Sequence, residues 1–194
     1  MKGGRAARWH FKRTLPSSWF RRWGTSSEGA QLVEFALAVP FLLVMIIGIL
    51  DFGGAYNLKQ ALNNAAREGA RYAVNQSSNI SDISATSVGA VGTVVSNYLT
   101  NAGITKCTIG SASGGPVDFT FGSTSTGCGS FQLEVNRGVT ITSGSVTYLA
   151  TKVTIIYPYT WSIGNIMKLF LPTSTLNSLL PATVQTDTTM QNIN

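Results

Sequence analysis

Residues 26–50 read SSEGAQLVEFALAVPFLLVMIIGIL, and this stretch sets how the rest of the chain is organised. From Phe35 to Leu50 all sixteen residues are apolar or small. Extended back to Ala30, the run covers twenty-one residues and is interrupted only by Gln31 and Glu34. At about 1.5 Å rise per residue, a helix of that length crosses a hydrocarbon layer about 30 Å thick. Pro40 lies inside the run and is expected to loosen or kink the helix locally. Membrane helices tolerate such a break better than soluble ones. Glu34 is the anomaly. An ionised acid in a membrane span is unfavourable by roughly 2.5 kcal/mol or more on insertion scales. It needs a partner or a way out to water.

The charge lies on one side of this run. Residues 1–28 hold Lys2, Arg5, Arg8, Lys12, Arg13, Arg21 and Arg22 against one acid, Glu28. They account for the whole net charge of +6, and beyond them seven bases balance seven acids. A basic tail directly before an apolar run holds that end on the cytoplasmic side of a membrane. Trp9, Trp19, Phe20 and Trp23 interleave with the basic residues and suit an interfacial location. The domain-wide basic patch of nucleic-acid binders is missing, so no nucleic-acid partner is expected. Charged residues make up 11% of the chain, against a usual figure of about 25%. That composition favours an exported or membrane-tethered protein over a cytosolic enzyme.

Three readings of the run compete. It is a secretory signal cut after Ala55, where Gly53-Gly54-Ala55 offers a small-x-small site. Its apolar core is longer than the usual 7 to about 15 residues of such signals. Alternatively it is an uncleaved anchor, oriented by the basic tail. In the third reading the junction Glu28-Gly29-Ala30 is itself cut on the cytoplasmic side, and the apolar segment stays on the mature protein.

The third reading carries a resemblance. Gly29, four residues, then Glu34-Phe35 resembles the type IV prepilin processing site. It is most similar to the Flp (tight adherence, Tad) subgroup, in which an aromatic residue follows the glutamate. The similarity continues through QLVEFAL (31–37), Pro40, Asp51-Phe52-Gly53 and LNNAAREGARYA (62–73). Together these blocks resemble the TadE-like pilus assembly proteins, firmly over about residues 26–76 and loosely beyond. The basic leader is long for that family.

The resemblance implies a minor pilin or pseudopilin, cut by a prepilin peptidase between Gly29 and Ala30, with Glu34 and Phe35 in recognition and assembly. The partners it implies are that peptidase, other pilin-like subunits and the inner-membrane assembly platform, with membrane lipids around the span. The N-terminus would be cytoplasmic and the head periplasmic, or extracellular once in a pilus. Cleavage would create an α-amino group on Ala30 with an unperturbed pKa near 7.7 to 8. Ala30 and Glu34 are four apart, on one helix face. When such helices pack with an axial stagger, Glu34 of one subunit meets the amine of its neighbour. The resemblance implies this pairing; the spacing permits it. The other reading is that Glu34, close to the cytoplasmic boundary, snorkels to water.

Beyond the run, residues 55–74 read as helix, free of Pro and rich in Ala, Leu, Gln, Asn and Arg. Ala55, Leu58, Leu62, Ala65, Ala66, Gly69 and Ala73 form a mostly small stripe at helical spacing. Small stripes let helices approach closely, which makes Asn64, Ala65, Ala66, Arg67, Glu68, Gly69 and Arg71 a candidate helix-packing motif. Ordinary core packing explains the small residues as well, and Arg67, Glu68 and Arg71 fit a solvated face. Residues 30–74 are expected to form one spine, roughly 68 Å long. The organisation is then a leader (1–29), a transmembrane and spine helix (30–76) and an exported head (77–194).

Residues 75–83 read as a polar linker. Ser84–Leu99 is a second helix, with Ser81 or Ser84 as cap, Gly103 as stop, and Val88, Val91, Val94, Val95, Tyr98 and Leu99 facing the first. Short β-type runs follow at 104–109, 117–121, 130–135, 138–142 and 146–157, with Gly110–Pro116 between them as a flexible loop. Residues 161–170 suggest a short amphipathic helix and 183–190 a closing strand. The fold class is α+β, a membrane helix continuing into a spine with a small antiparallel sheet as head. Export would place Cys107 and Cys128 in an oxidising compartment, where they are expected to pair and add about 3 kcal/mol. The alternative is two free buried thiols. The one histidine, His10, lies in the leader, so no metal ligand set and no cofactor are expected. No nucleophile elbow, HExxH or phosphate loop is found, and the chain is not expected to be an enzyme. A rival from another class is an uncleaved single-pass protein whose β-rich head binds an extracytoplasmic ligand.

Overall fold

The computed structural model describes residues 27–75, 85–114, 117–168 and 171–192. The basic leader up to residue 26, the 76–83 linker, the Ser81 and Ser84 caps, the Val88 side chain and Phe170 lie outside the described residues.

The first helix, α1, runs Ser27–Asn75, 49 residues with Pro40 inside it. Pro40 removes one backbone donor and leaves the Ala36 carbonyl without its usual partner. Gly53 and Gly54 each cost about 1 kcal/mol relative to alanine. Neither feature ends a helix whose propagation is cooperative over so many turns. The chain divides into two compact units, Met1–Met45 and Ile46–Asn194, with the division inside α1.

In the first unit α1 is apolar all round from Phe35 onward. Leu32, Phe35, Leu37 and Phe41 are all exposed, Leu37 at 72%. A stretch that is apolar on every side and uncovered has the composition of a membrane span. This one is long and apolar enough to cross a bilayer, which fits membrane anchoring.

The second unit holds the rest of α1, helix α2 (Ala85–Asn101), strands β1 (Ile109–Gly114), β2 (Asp118–Ser123), β3 (Gln132–Ser143) and β4 (Val146–Pro158), short helices α3 (Ser162–Met167) and α4 (Thr173–Leu179), and strand β5 (Thr183–Gln191). The five strands form an antiparallel meander in sequence order. Alternation sets its buried face. Phe119, Val135 and Val153 lie in register across β2, β3 and β4, and so do Phe121, Leu133 and Ile155. All six are buried, together with Leu62, Ala65, Ala66 and Ala70 of α1 and Val91, Val95 and Leu99 of α2. The fold is α+β, a long N-terminal helix followed by a small sheet that packs on the helices.

α2 stops where Gly103 permits it. Gly103 has φ +77°, its N–H donates to the Thr100 carbonyl, and the Ile104 N–H donates to the Leu99 carbonyl. This paired closure is the Schellman arrangement, with Ile104 folded back onto the core.

Four local expectations differ from the structure. Residues 104–108 are not a strand, because the chain there is turning out of α2. The Gly-Ser-Ala-Ser-Gly segment is not a loop but most of edge strand β1. Small side chains do not prevent a strand when a neighbouring ladder supplies the hydrogen bonds. Gly114 closes β1 at φ +143°, where an added Cβ would strike the Asp118 carbonyl. The two runs at 130–135 and 138–142 are one strand, β3, with a register shift between Asn136 and Val139. There the Gly138 N–H donates to Asn136 Oδ1 at 2.9 Å. α3 is shorter than its expected span, and α4 follows Pro172 with one buried side chain, Leu176.

Candidate processing and assembly site

Gly29 and Ala30 lie in the first turn of α1, and Ala30, Glu34 and Phe35 are exposed. Glu34 sits one turn after Ala30 on the same face. Among the described residues no ion-pair partner faces Glu34. In an uncut chain the Ala30 nitrogen is a neutral amide, so the acid has nothing within its own helix to neutralise it.

The helix-packing motif divides into two faces. Ala65, Ala66 and Gly69 are buried in the chain's own head, and Asn64, Arg67 and Arg71 are exposed. Gly69 is a point of close approach: an added Cβ would stand 2.7 Å from Val95 Cγ2, itself buried. Any larger residue there must push α2 away or force Val95 off its rotamer. Asn63, in the same block, accepts a hydrogen bond from the buried Thr186 hydroxyl of β5. On the outer face Arg71 and Glu68 approach to 3.9 Å, both well exposed. Such a pair is worth little in water. The small residues therefore serve intramolecular packing, and the outward side is polar.

A second cluster sits where the apolar run ends. Asp51 is 8% exposed, and its Oδ2 accepts the Ile163 N–H at 2.6 Å. This supplies the N-terminus of α3 with a carboxylate partner that its own cap residue, Trp161, lacks. The Tyr159 hydroxyl donates to the Asp51 carbonyl at 3.0 Å. Burial, and after it the Asp51 charge, raise the Tyr159 phenol above its ordinary pKa. Trp161 stacks edge-on against Phe52 at 5.4 Å and Tyr159 at 4.9 Å, and its indole N–H donates to the Pro181 carbonyl at 2.7 Å. The acid at the end of the run and the pair Tyr157-Pro158-Tyr159 are both visible in the sequence. Nothing local says that they meet across 108 residues of chain.

Residues 29–71 match the family model described as TadE-like protein. Over these residues the chain is similar to the TadE-like proteins. The matched segment contains Gly29, Ala30, Glu34, Phe35 and the whole helix-packing motif, and it ends before α2 and the sheet. Neither curated proteins nor solved structures gave a match to the chain.

Outside that segment, Cys107 and Cys128 form a disulfide with a Cα–Cα distance of 5.7 Å. It ties the turn after α2 to the loop before β3. Phe131 and Tyr157 pack edge-to-face beside it, ring centroids 5.9 Å apart. Burial pushes the Tyr157 phenol above its ordinary pKa, while the polar backbone of Cys107 and Lys106 acts in the opposite direction. A raised phenol contributes stability that is present below the unfolded value, about 10, and is lost as pH rises through the folded value. Melting temperature is therefore expected to fall as pH rises above about 10, and Tyr157→Phe is expected to flatten that decline. Thermal melts of both proteins in detergent across that range check this; equal slopes would contradict it.

Proposed function

We propose that the chain is a minor pilin or pseudopilin of a Flp (Tad) type IVb pilus or a related secretion system. It is inserted with its basic leader in the cytoplasm, cut after Gly29 by a prepilin peptidase, and assembled by helix packing with other pilin-like subunits at an inner-membrane platform. The head, residues 77–194, is exported, and the role is structural rather than catalytic. One observation carries this reading: Gly29 and Glu34-Phe35 stand at the start of an uncovered apolar helix, within a TadE-like match. The second half of the same helix is consumed by the head, which leaves the first half as the surface available for assembly.

The reading is tested by co-expression with a prepilin peptidase in a host that lacks one. The chain is expected to shorten by its leader only when the peptidase is present, and Gly29→Ala is expected to slow that conversion. Shortening without the peptidase, or none with it, would overturn the proposal.

A second reading, an uncleaved anchored protein with a ligand-binding head, is favoured by one feature. A groove of about 320 Å³ between α2 and β1 is lined by polar groups that include Thr93, Ser96, Asn97 and Ser111.

A further inference from the structure

The cluster at Asp51 ties the start of α3 to the last turns of the apolar run. Gly48 belongs to the apolar run, and a Cβ added to it would stand 3.4 Å from Ile163 Cδ1. One turn further on, Asp51 holds the Ile163 N–H and the Tyr159 hydroxyl. The start of α3 is therefore level with residues 48–51. If the run begins near Ala30, about 1.5 Å per residue puts those residues roughly 30 Å along the helix, at the far boundary of the hydrocarbon.

The side chains held at that level are of the interfacial type. Tryptophan and tyrosine concentrate where a bilayer meets water, because an apolar ring and a polar tip are both satisfied there. Here Tyr159 and Trp161 have their polar atoms bonded to the Asp51 and Pro181 carbonyls. Phe52, against Trp161, is 63% exposed and Leu179 of α4 is 59% exposed. An apolar groove of about 310 Å³ continues from Phe52 along Tyr56 to Pro181 and Val184, with Lys59 in its wall. In water the exposed ring of Phe52 would be unfavourable. Against lipid, Phe52 and the half-buried Tyr159 and Trp161 continue the apolar surface of residues 46–50, and Lys59 offers a cation to phosphate.

We propose that Phe52, Tyr159 and Trp161 form a lipid-facing collar that seats the head on its leaflet, with the glycerol and phosphate layer of phospholipids as the occupant. This rests on reading residues 30–50 as a membrane span. Asp51 acts as the positioning residue: its carboxylate accepts the Ile163 N–H of α3 and holds the collar at the boundary.

The test is depth-dependent fluorescence quenching. The chain has four tryptophans. Replacing Trp9, Trp19 and Trp23 by phenylalanine leaves Trp161 alone in the full-length protein. It is reconstituted into phosphatidylcholine vesicles brominated either near the headgroup end or near the methyl end of the acyl chains. Shallow bromines are expected to quench Trp161 roughly twofold more than deep ones. A second protein carries Leu42→Trp as its only tryptophan, with Trp161→Phe added, and is expected to show the reverse order. If Leu42→Trp is quenched by deep bromines and Trp161 responds only to aqueous acrylamide, the collar is overturned and the span stands. If neither tryptophan is quenched by bromine, the span itself is overturned. If Trp161 is shielded from acrylamide and bromine alike, a second copy of the chain covers the surface and the lipid assignment is overturned.

Discussion

Replacing Glu34 by glutamine is expected to leave the chain in the membrane but remove it from sheared pilus fractions. Glutamine keeps the length and hydrogen-bonding reach of the side chain and removes only its charge. Insertion should be no worse, because an ionised acid within a span is unfavourable in itself. Assembly should suffer, because the proposed partner is the cationic amine of a neighbouring Ala30. A charge-assisted hydrogen bond contributes about 1.5 to 3 kcal/mol, so each association step should weaken by roughly tenfold to a hundredfold. Over many subunits this removes the protein from the fibre or its base. Glu34→Ala should behave alike, and Glu34→Asp should fall between, since it keeps the charge and shortens the reach. The measurement is the ratio of sheared-fraction to membrane-fraction protein. An unchanged ratio would refute the pairing and return Glu34 to the role of an acid that snorkels to the cytoplasmic boundary.

Loss of the Cys107–Cys128 bond is the second large effect. The bridge spans a sequence separation of 21 residues, and most of the chain between its ends is small and polar. β1 and β2 lie inside that closed loop. β1 is one of the two edge strands and has the fewest buried side chains to hold it in the unfolded-to-folded balance. In the chain-entropy model a loop of this size contributes about 3 kcal/mol. Cys107→Ser with Cys128→Ser should therefore lower the melting temperature of the full-length protein in detergent by roughly 10 °C. Early opening should localise to residues 104–123, visible as faster amide exchange there than in β3 and β4. A melting temperature unchanged within error would mean that Phe121, Phe131 and Tyr157 hold this edge without the bridge.

What was legible in the sequence follows from whether the signal was local. α1 was readable because sixteen consecutive apolar residues and a Pro-free continuation leave little else to form. The α2 stop at Gly103 was readable because one residue type suits a positive φ at a helix end. β4 was readable from its alternating Val153, Ile155 and Tyr157, which do face the core. β1 was not, because Gly110 to Gly114 carries no hydrophobic pattern and its pairing is supplied by β2. The junction at Asp51 was half legible. Asp51-Phe52-Gly53 entered the reading only as a block of the resemblance, and the partner of Asp51 is a backbone N–H at residue 163, which no side-chain identity announces. For the helix-packing motif the sequence left inter-subunit packing and ordinary core packing open, and the fold takes the second for the small residues: Ala65, Ala66 and Gly69 go inward, and Arg67 and Arg71 stay out. Spacing could not separate packing within the chain from packing between chains, because both ask for small residues on one face.

The central claim is that the bond between Gly29 and Ala30 is broken and that the apolar helix remains on the mature protein. The measurement that tests it most directly is the N-terminal residue and intact mass of the protein extracted from the membrane fraction. The account predicts a chain that starts at Ala30 and carries a free amine. A chain that keeps Met1, or one that starts at Tyr56, would contradict it.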